Sequence, residues 1–147
     1  MVYAGYDYYF YGPYHGTLDA EGFARLAIRA SSYIDYITQN RAKGFADSDA
    51  VKMCCCALAD QYKVIEDAEA LARGSVSAGA ASGGAEIQSE TVGGYSRTLR
   101  SGGDSAISAM KVAAEAKIAM ADIAREYLAN TGLLYRGRCF ECTPRTP

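Results

Sequence analysis

Residues 104–130 carry apolar side chains on two sides of one helix, and a helix of that kind is buried on two sides. The spacing predicts a helix that begins at Asp104 or Ser105, runs to about Asn130 and stops at Gly132. Ile107, Met110, Ala114, Ile118, Ala121 and Leu128 fall on one face at helical spacing. Val112, Ala116, Met120, Ile123 and Tyr127 form another on the far side. An acidic strip of Glu115, Asp122 and Glu126 lies between them. Surface pairing explains part of that charge, since Lys111 and Glu115, and Asp122 and Arg125, sit at helical neighbour spacing. The second apolar face is expected to meet either another helix of the same chain or a neighbouring subunit.

Two earlier segments have the same period. Thr17 or Asp19 can cap a helix over residues 18–39, with Glu21 near its positive end. Phe23, Leu26, Ala27, Ala30, Ile34 and Ile37 line one stripe of it. Gly44 interrupts, and Asp47 or Ser48 can cap the next helix, over residues 48–73 and ending at Gly74. Its stripe is Val51, Cys55, Leu58, Tyr62 and Ile65, with Cys54 at the edge. Cys56 points to the opposite side at about 100° per residue, so a lone subunit should expose it.

The remaining segments are expected to be non-helical. Residues 1–16 hold seven aromatics, Tyr3, Tyr6, Tyr8, Tyr9, Phe10, Tyr11 and Tyr14, broken by Gly5, Gly12, Pro13 and Gly16, and predict an arm or a pair of turns, not a helix. Such a surface packs on its own domain or partly on a neighbour. Residues 74–85 are nearly all Gly, Ala and Ser and predict a flexible or extended link. Two β-compatible runs flank Gly93-Gly94 and predict a hairpin over 86–100, which needs support because an isolated hairpin is marginal in water. Residues 133–147 read as an extended arm ending in prolines. The expected architecture is mainly α, a small helical bundle with a protruding β-hairpin and extended terminal arms. One domain spans 1–147, divided into the aromatic arm 1–16, helices 17–74, hairpin 86–100, long helix 104–131 and C-terminal arm 133–147.

Composition excludes several function classes. A chain of 147 residues with net charge −2 and interspersed charges lacks the basic patch that phosphate binding needs, though DNA can pass it without sticking. No apolar run reaches the roughly 18–20 residues of a membrane span, and no signal-peptide pattern opens the chain. Five cysteines, three of them consecutive, suit reduced thiols in a cytoplasmic assembly environment. His15 is the single histidine and reads as structural. No phosphate loop of the Walker type and no nucleophile with a base and an orienting acid is seen. Cys139 and Cys142 supply two ligands where structural zinc wants four. No catalytic, cofactor-binding or metal residue is assigned, and the chain is read as a non-enzyme.

The order of the pieces resembles a known family. The aromatic start Tyr8-Tyr9-Phe10-Tyr11-Gly12 leads into Phe23-Ala24-Arg25-Leu26-Ala27-Ile28-Arg29-Ala30-Ser31, then Tyr33-Ile34-Asp35-Tyr36-Ile37-Thr38 and Arg41. In the middle stands Ile87-Gln88-Ser89-Glu90-Thr91-Val92-Gly93-Gly94-Tyr95-Ser96, and near the end Tyr127-Leu128-Ala129-Asn130-Thr131-Gly132-Leu133-Leu134-Tyr135-Arg136-Gly137. Together these are similar to the small head–tail connector proteins, or adaptors, of long-tailed phages and prophages. The resemblance implies a helical subunit of a ring, usually twelvefold, that docks under the portal protein and offers its lower face to a stopper or tail-completion protein. It implies a place in the virion neck, assembly in the host cytoplasm, and DNA only as non-specific passage through the channel. The expected portal contacts are Leu133, Tyr135, Arg136, Arg138 and Phe140. The expected subunit interface is Cys56, Val112, Met120 and Tyr127, and the hairpin contacts are Glu90, Val92, Tyr95 and Arg97. Two other readings stay open: another neck or tail component, such as a more β-rich stopper or tail-completion protein, or a small host binding or regulatory protein.

Overall fold

The computed structural model describes residues 1–81, 90–92, 95–97 and 102–135. Its aromatic start is not an arm of turns: Tyr6–Phe10 form a short helix, α1. Five residues are too few to hold a helix by backbone bonding alone, so packing holds it. Tyr9 is fully buried, its ring stacked on Phe23 at 4.1 Å between centroids and on Tyr14 at 5.4 Å. The Tyr9 hydroxyl donates to Asp60 Oδ1 at 2.5 Å and accepts from the Thr17 and Leu18 N–H groups at 3.0 and 3.1 Å. Tyr14 donates to the other Asp60 oxygen at 2.7 Å. Gly16 crosses the Tyr9 ring so closely that a Cβ there would lie 1.9 Å from it. Tyr3 is buried as well; its N–H donates to Ser31 Oγ at 3.1 Å and its hydroxyl to Asp35.

Helix α2 (Ala20–Thr38) is capped by Asp19, whose carboxylate accepts from the Gly22 N–H at 3.3 Å. Its expected stripe is the buried face, with Phe23, Leu26, Ala27, Ala30 and Ile34 in the core and Ile37 packed against it. Gln39 and Asn40 end the helix in left-handed backbone, and a 3-10 turn (Arg41–Phe45) leads into α3 (Asp49–Ala81). The boundary expected at Gly74 is wrong: α3 continues to Ala81. Each interior Gly costs a helix about 1 kcal/mol relative to Ala.

That neighbour is α4 (Gly102–Leu128), which ends in a 3-10 turn (Ala129–Thr131) and a left-handed Gly132. Gln61 Nε2 of α3 donates to the Ala116 carbonyl of α4 at 3.1 Å. Two turns further along α3, Ala68 and Leu71 line a groove with Ala109 and Val112, two turns earlier in α4. The two helices are therefore antiparallel. The side of α4 that faces α3 is mostly alanine: Ala106, Ala109, Ala113, Ala116 and Ala124 are buried with Met120 and Leu128. The larger row Ile107, Met110, Ala114 and Ile118, expected as one buried face, is exposed.

The core lies between α2, the first half of α3 and the second half of α4, closed by the aromatic start. The bundle is mainly α, as expected. Glu90–Val92 and Tyr95–Arg97 form a two-stranded antiparallel ladder with Val92 opposite Tyr95. The rest of the expected hairpin, residues 82–89 and residues 136–147 lie outside the described residues. Leu133, expected to open the arm, is buried, and Leu134 packs against the core.

Asp60 ties the aromatic start to α3 through two hydroxyls. Asp60→Ala leaves both without an acceptor and is expected to cost about 3–6 kcal/mol, since two bonds to a charged acceptor are lost and each is worth roughly 1.5–3 kcal/mol. Urea unfolding of the variant against wild type measures it, and a loss below about 0.5 kcal/mol would show that the clamp carries no weight.

Candidate functional site

The features that set this chain apart are apolar faces left in water. Ile107, Met110 and Ile118 are 68 %, 64 % and 70 % exposed and follow one another along α4 with Ala114 between them. They form a ridge, because the alanine seam has already used the opposite flank for packing on α3. Lys111 and Glu115 run beside it, both exposed.

A second apolar surface lies between α3 and α4. Val64, Ala68, Leu71, Ala109 and Val112, with Asp67 at the edge, line a shallow groove of about 330 Å³. Val64, Leu71 and Val112 are exposed there, and Asp67 is paired with Lys63. A third hollow, about 480 Å³, sits where α2 and α4 diverge, lined by Tyr33, Ile37, Ala121, Ala124, Arg125 and Leu134. Arg125 at its mouth pairs with Asp122.

Ion pairs tie the helices to one another. Glu66 of α3 accepts two bonds from Arg25 at 2.7 Å and one from Arg29 at 2.6 Å, which hold its carboxyl below the usual carboxylate range and fasten α2 to α3. Lys117 of α4 pairs with Glu69 of α3 at 2.9 Å. Cys54, Cys55 and Cys56 are free thiols, all fully buried. Cys55 lies 3.4 Å from Ser31 Oγ. Burial pushes the Cys54 and Cys56 thiols up to about 12. Among the described residues no group of three or more His, Cys, Asp or Glu is placed to hold a metal ion, and no helix is long and apolar enough to cross a membrane. Cys139 and Cys142 lie outside the described residues.

Three of the expected contact residues are already covered within one chain. Cys56, expected on an exposed face, is buried, because the aromatic start folds over that side of α3. Met120 is buried against α3, and Leu133 in the core. None of the three can lose exposure on assembly. Val112 is exposed, Tyr127 is half-buried against the core, and Tyr135 is exposed, with its carbonyl accepting from Arg41. Glu115, Asp122 and Glu126 are exposed. Arg136, Arg138 and Phe140 lie outside the described residues, as do the side chains of Glu90, Val92, Tyr95 and Arg97. The sequence pattern found the ridge as an apolar face but assigned it to the interior, and it passed over Val64 and Leu71.

Burial raises the acid groups of the aromatic start as well. Tyr8 and Tyr9 are pushed up to about 12, with hydrogen bonds to Asp49 and Asp60 as the second cause, and Tyr3 and Tyr14 are raised further. A folded-state pKa above the unfolded one means that the folded chain holds protons the unfolded chain has lost. The resulting stability is present below pH 9–10, where the unfolded thiols and phenols are protonated, and fades as pH climbs toward 12. Melting temperature is therefore expected to fall steadily from pH 9 to 12, and in Cys139→Ser/Cys142→Ser protein the thiols should resist a disulfide reagent until unfolding. A melting temperature flat across that range, or rapid labelling of the folded protein, would contradict it.

No family model matches this chain, and neither the curated proteins nor the solved structures contain a significant match to it.

Proposed function

We propose that this chain is a non-enzymatic structural subunit of a tailed-phage neck, an adaptor that forms a ring between the portal and the stopper or tail. The observation that carries the reading is the exposed ridge Ile107, Met110 and Ile118, apolar surface that a lone chain leaves in water. The ordered resemblance of the aromatic start, the segment around Gly93-Gly94 and the closing Tyr127–Gly137 stretch to head–tail connector proteins supplies the biological setting. A mainly helical body favours the adaptor over the more β-rich stopper or tail-completion protein. A host binding or regulatory protein would be a monomer or dimer, and no observation favours it.

In this reading the ring is usually twelvefold and sits in the virion neck after assembly in the host cytoplasm. DNA passes through without specific binding, and the exposed carboxylates Glu115, Asp122 and Glu126 are candidates for a channel wall that does not hold phosphate. Tyr135, Arg136, Arg138 and Phe140 contact the portal from an extended C-terminal arm, which can add to a sheet edge through its backbone. Glu90, Val92, Tyr95 and Arg97 belong to a protruding hairpin that meets a neighbouring subunit or the next neck protein. The subunit interface takes in Val112 and Tyr127, with the ridge in place of Cys56 and Met120.

The test is co-expression with the portal protein of the same genome, followed by negative-stain microscopy of the purified complex. A second ring stacked on the portal is the expected result, and deletion of residues 138–147 should abolish stacking while far-UV circular dichroism stays helical. A genome without a portal gene, or a folded chain that ignores its portal, would sink the reading.

A further inference from the structure

The hollow between α2 and α4 lies where the described chain leaves the core. Tyr33 and Ile37 of α2 line one side, Ala121, Ala124 and Arg125 of α4 the other, and Leu134 is part of the wall. The lining is apolar apart from the Tyr33 hydroxyl and the Arg125 guanidinium, and its volume of about 480 Å³ leaves room for an aromatic ring. Tyr135, the next residue, is exposed, so the chain departs at the rim. Arg41 fixes that point of departure. Its Nε donates to the Thr38 carbonyl at 2.9 Å, beside Ile37, and one terminal nitrogen donates to the Tyr135 carbonyl. The other terminal nitrogen is buried and has no acceptor among the described residues. A buried donor on a charged group is costly to leave unmet. A chain that ran straight out from Tyr135 would carry its carbonyls away from Arg41; one that turned back would bring them past it.

We propose that in the free chain the segment after Tyr135 turns back over this hollow and seats Phe140 in it. Phe140 is the one large apolar side chain in residues 136–147. It follows Tyr135 by five positions, a reach of up to about 17 Å, while each helical wall of the hollow spans about one turn, roughly 5 Å. Gly137 stands between and tolerates the tight backbone a reversal needs. Tyr33, Ile37 and Leu134 are half-buried and pack on the core from its edge, so a ring seated among them takes their remaining apolar area out of water. Charge agrees: the segment carries Arg136, Arg138 and Arg145 against Glu141 alone, and the turn of α4 that borders the hollow presents exposed Asp122 and Glu126. The occupant is this chain's own segment because a residue tethered so close to the rim is present at millimolar effective concentration, ahead of any untethered partner. The docking is a property of the free chain and does not rest on the neck reading; in that reading the hollow and the portal compete for one arm.

The chain holds no tryptophan, so Phe140→Trp places a single indole at the proposed seat. Its emission is measured in the whole chain, without portal, with acrylamide as quencher and the same protein unfolded in urea as the reference for an open ring. Docking predicts blue-shifted emission and quenching several-fold weaker than in urea, independent of protein concentration. Adding Ala121→Glu puts a charge into the seat at a half-buried position and should return quenching to the reference value. Circular dichroism checks folding, and Ala121→Gln takes the place of the glutamate if helicity is lost. An indole quenched as freely in the folded chain as in urea would overturn the docking. Shielding that survives the change at Ala121 would put the ring elsewhere and overturn the hollow as its seat. Shielding lost on dilution would mean the arm of a second copy and overturn it likewise. Stacking of the wild-type chain on its portal beside any of these results would leave the neck reading standing and remove only the docked arm.

Discussion

The approach of α3 and α4 along an alanine seam is the constraint on which the rest of the molecule depends. Ala106, Ala109, Ala113, Ala116 and Ala124 are buried on α4, and Ala68 and Ala72 on α3. Small side chains let two helices pack at the near end of the usual 8–10 Å range of axial distance. The Gln61 side chain reaching the Ala116 carbonyl fits such an approach. The seam settles the fate of the large residues. With alanine inside, Ile107, Met110 and Ile118 have no place against α3, and Val64 and Leu71 remain at the lip of the groove. This stretch of the α3–α4 seam is thus made of small groups, and the large apolar residues beside it face outward.

A second set of contacts fastens the other end. Asp60 holds Tyr9 and Tyr14, Asp35 holds Tyr3, and Glu66 holds Arg25 and Arg29. Each bond joins segments far apart in sequence, and most have one partner on α3. The tyrosines bring ring area to the core and keep a hydroxyl for a carboxylate at its edge, which suits residues that are half inside. Cys54, Cys55 and Cys56 show how fully α3 is enclosed here. Three consecutive helical residues span about 200° of arc, and all three are buried. Helix α2 meets one side of them, the end of α4 another and the aromatic start a third.

This enclosure explains which features the sequence revealed. The stripe of α2 was legible because it packs large residues against one side only, behind an Asp19 cap. Cys56 was misplaced because periodicity assumes one buried face, and a central helix has several. Helix α1 was hidden because its stability is tertiary: nothing in Tyr6–Phe10 announces that Tyr9 will sit between Phe23 and Asp60. The long α4 was legible as a helix with two apolar faces but not as to which face turns inward. Hydrophobicity ranks Ile above Ala, so the ridge looked like core; close packing ranked them the other way. Helix α3 also runs past Gly74, where composition alone suggests a link.

Helix α3 therefore changes character along its length. At Cys54–Cys56 it is surrounded, at Glu66 it still has α2 and α4 beside it, and past that point its pairing is with α4 through Glu69 and the alanines. Local stability follows the density of buried apolar contact, so it should decline in the same direction. Covering an exposed Ile, Met, Leu or Val contributes on the order of 1–2 kcal/mol when half or more of its area leaves water. In a single chain the ridge and the groove lips contribute almost none of this, and they lie along the stretch where α3 and α4 have mainly each other. A partner seated there would supply apolar contact where the chain's own packing is thinnest. Folding draws on the inward side of these two helices, where Val51, Leu58, Ile65, Met120 and Leu128 are buried with the alanines and cysteines, and leaves the outward Ile, Met, Leu and Val to solvent.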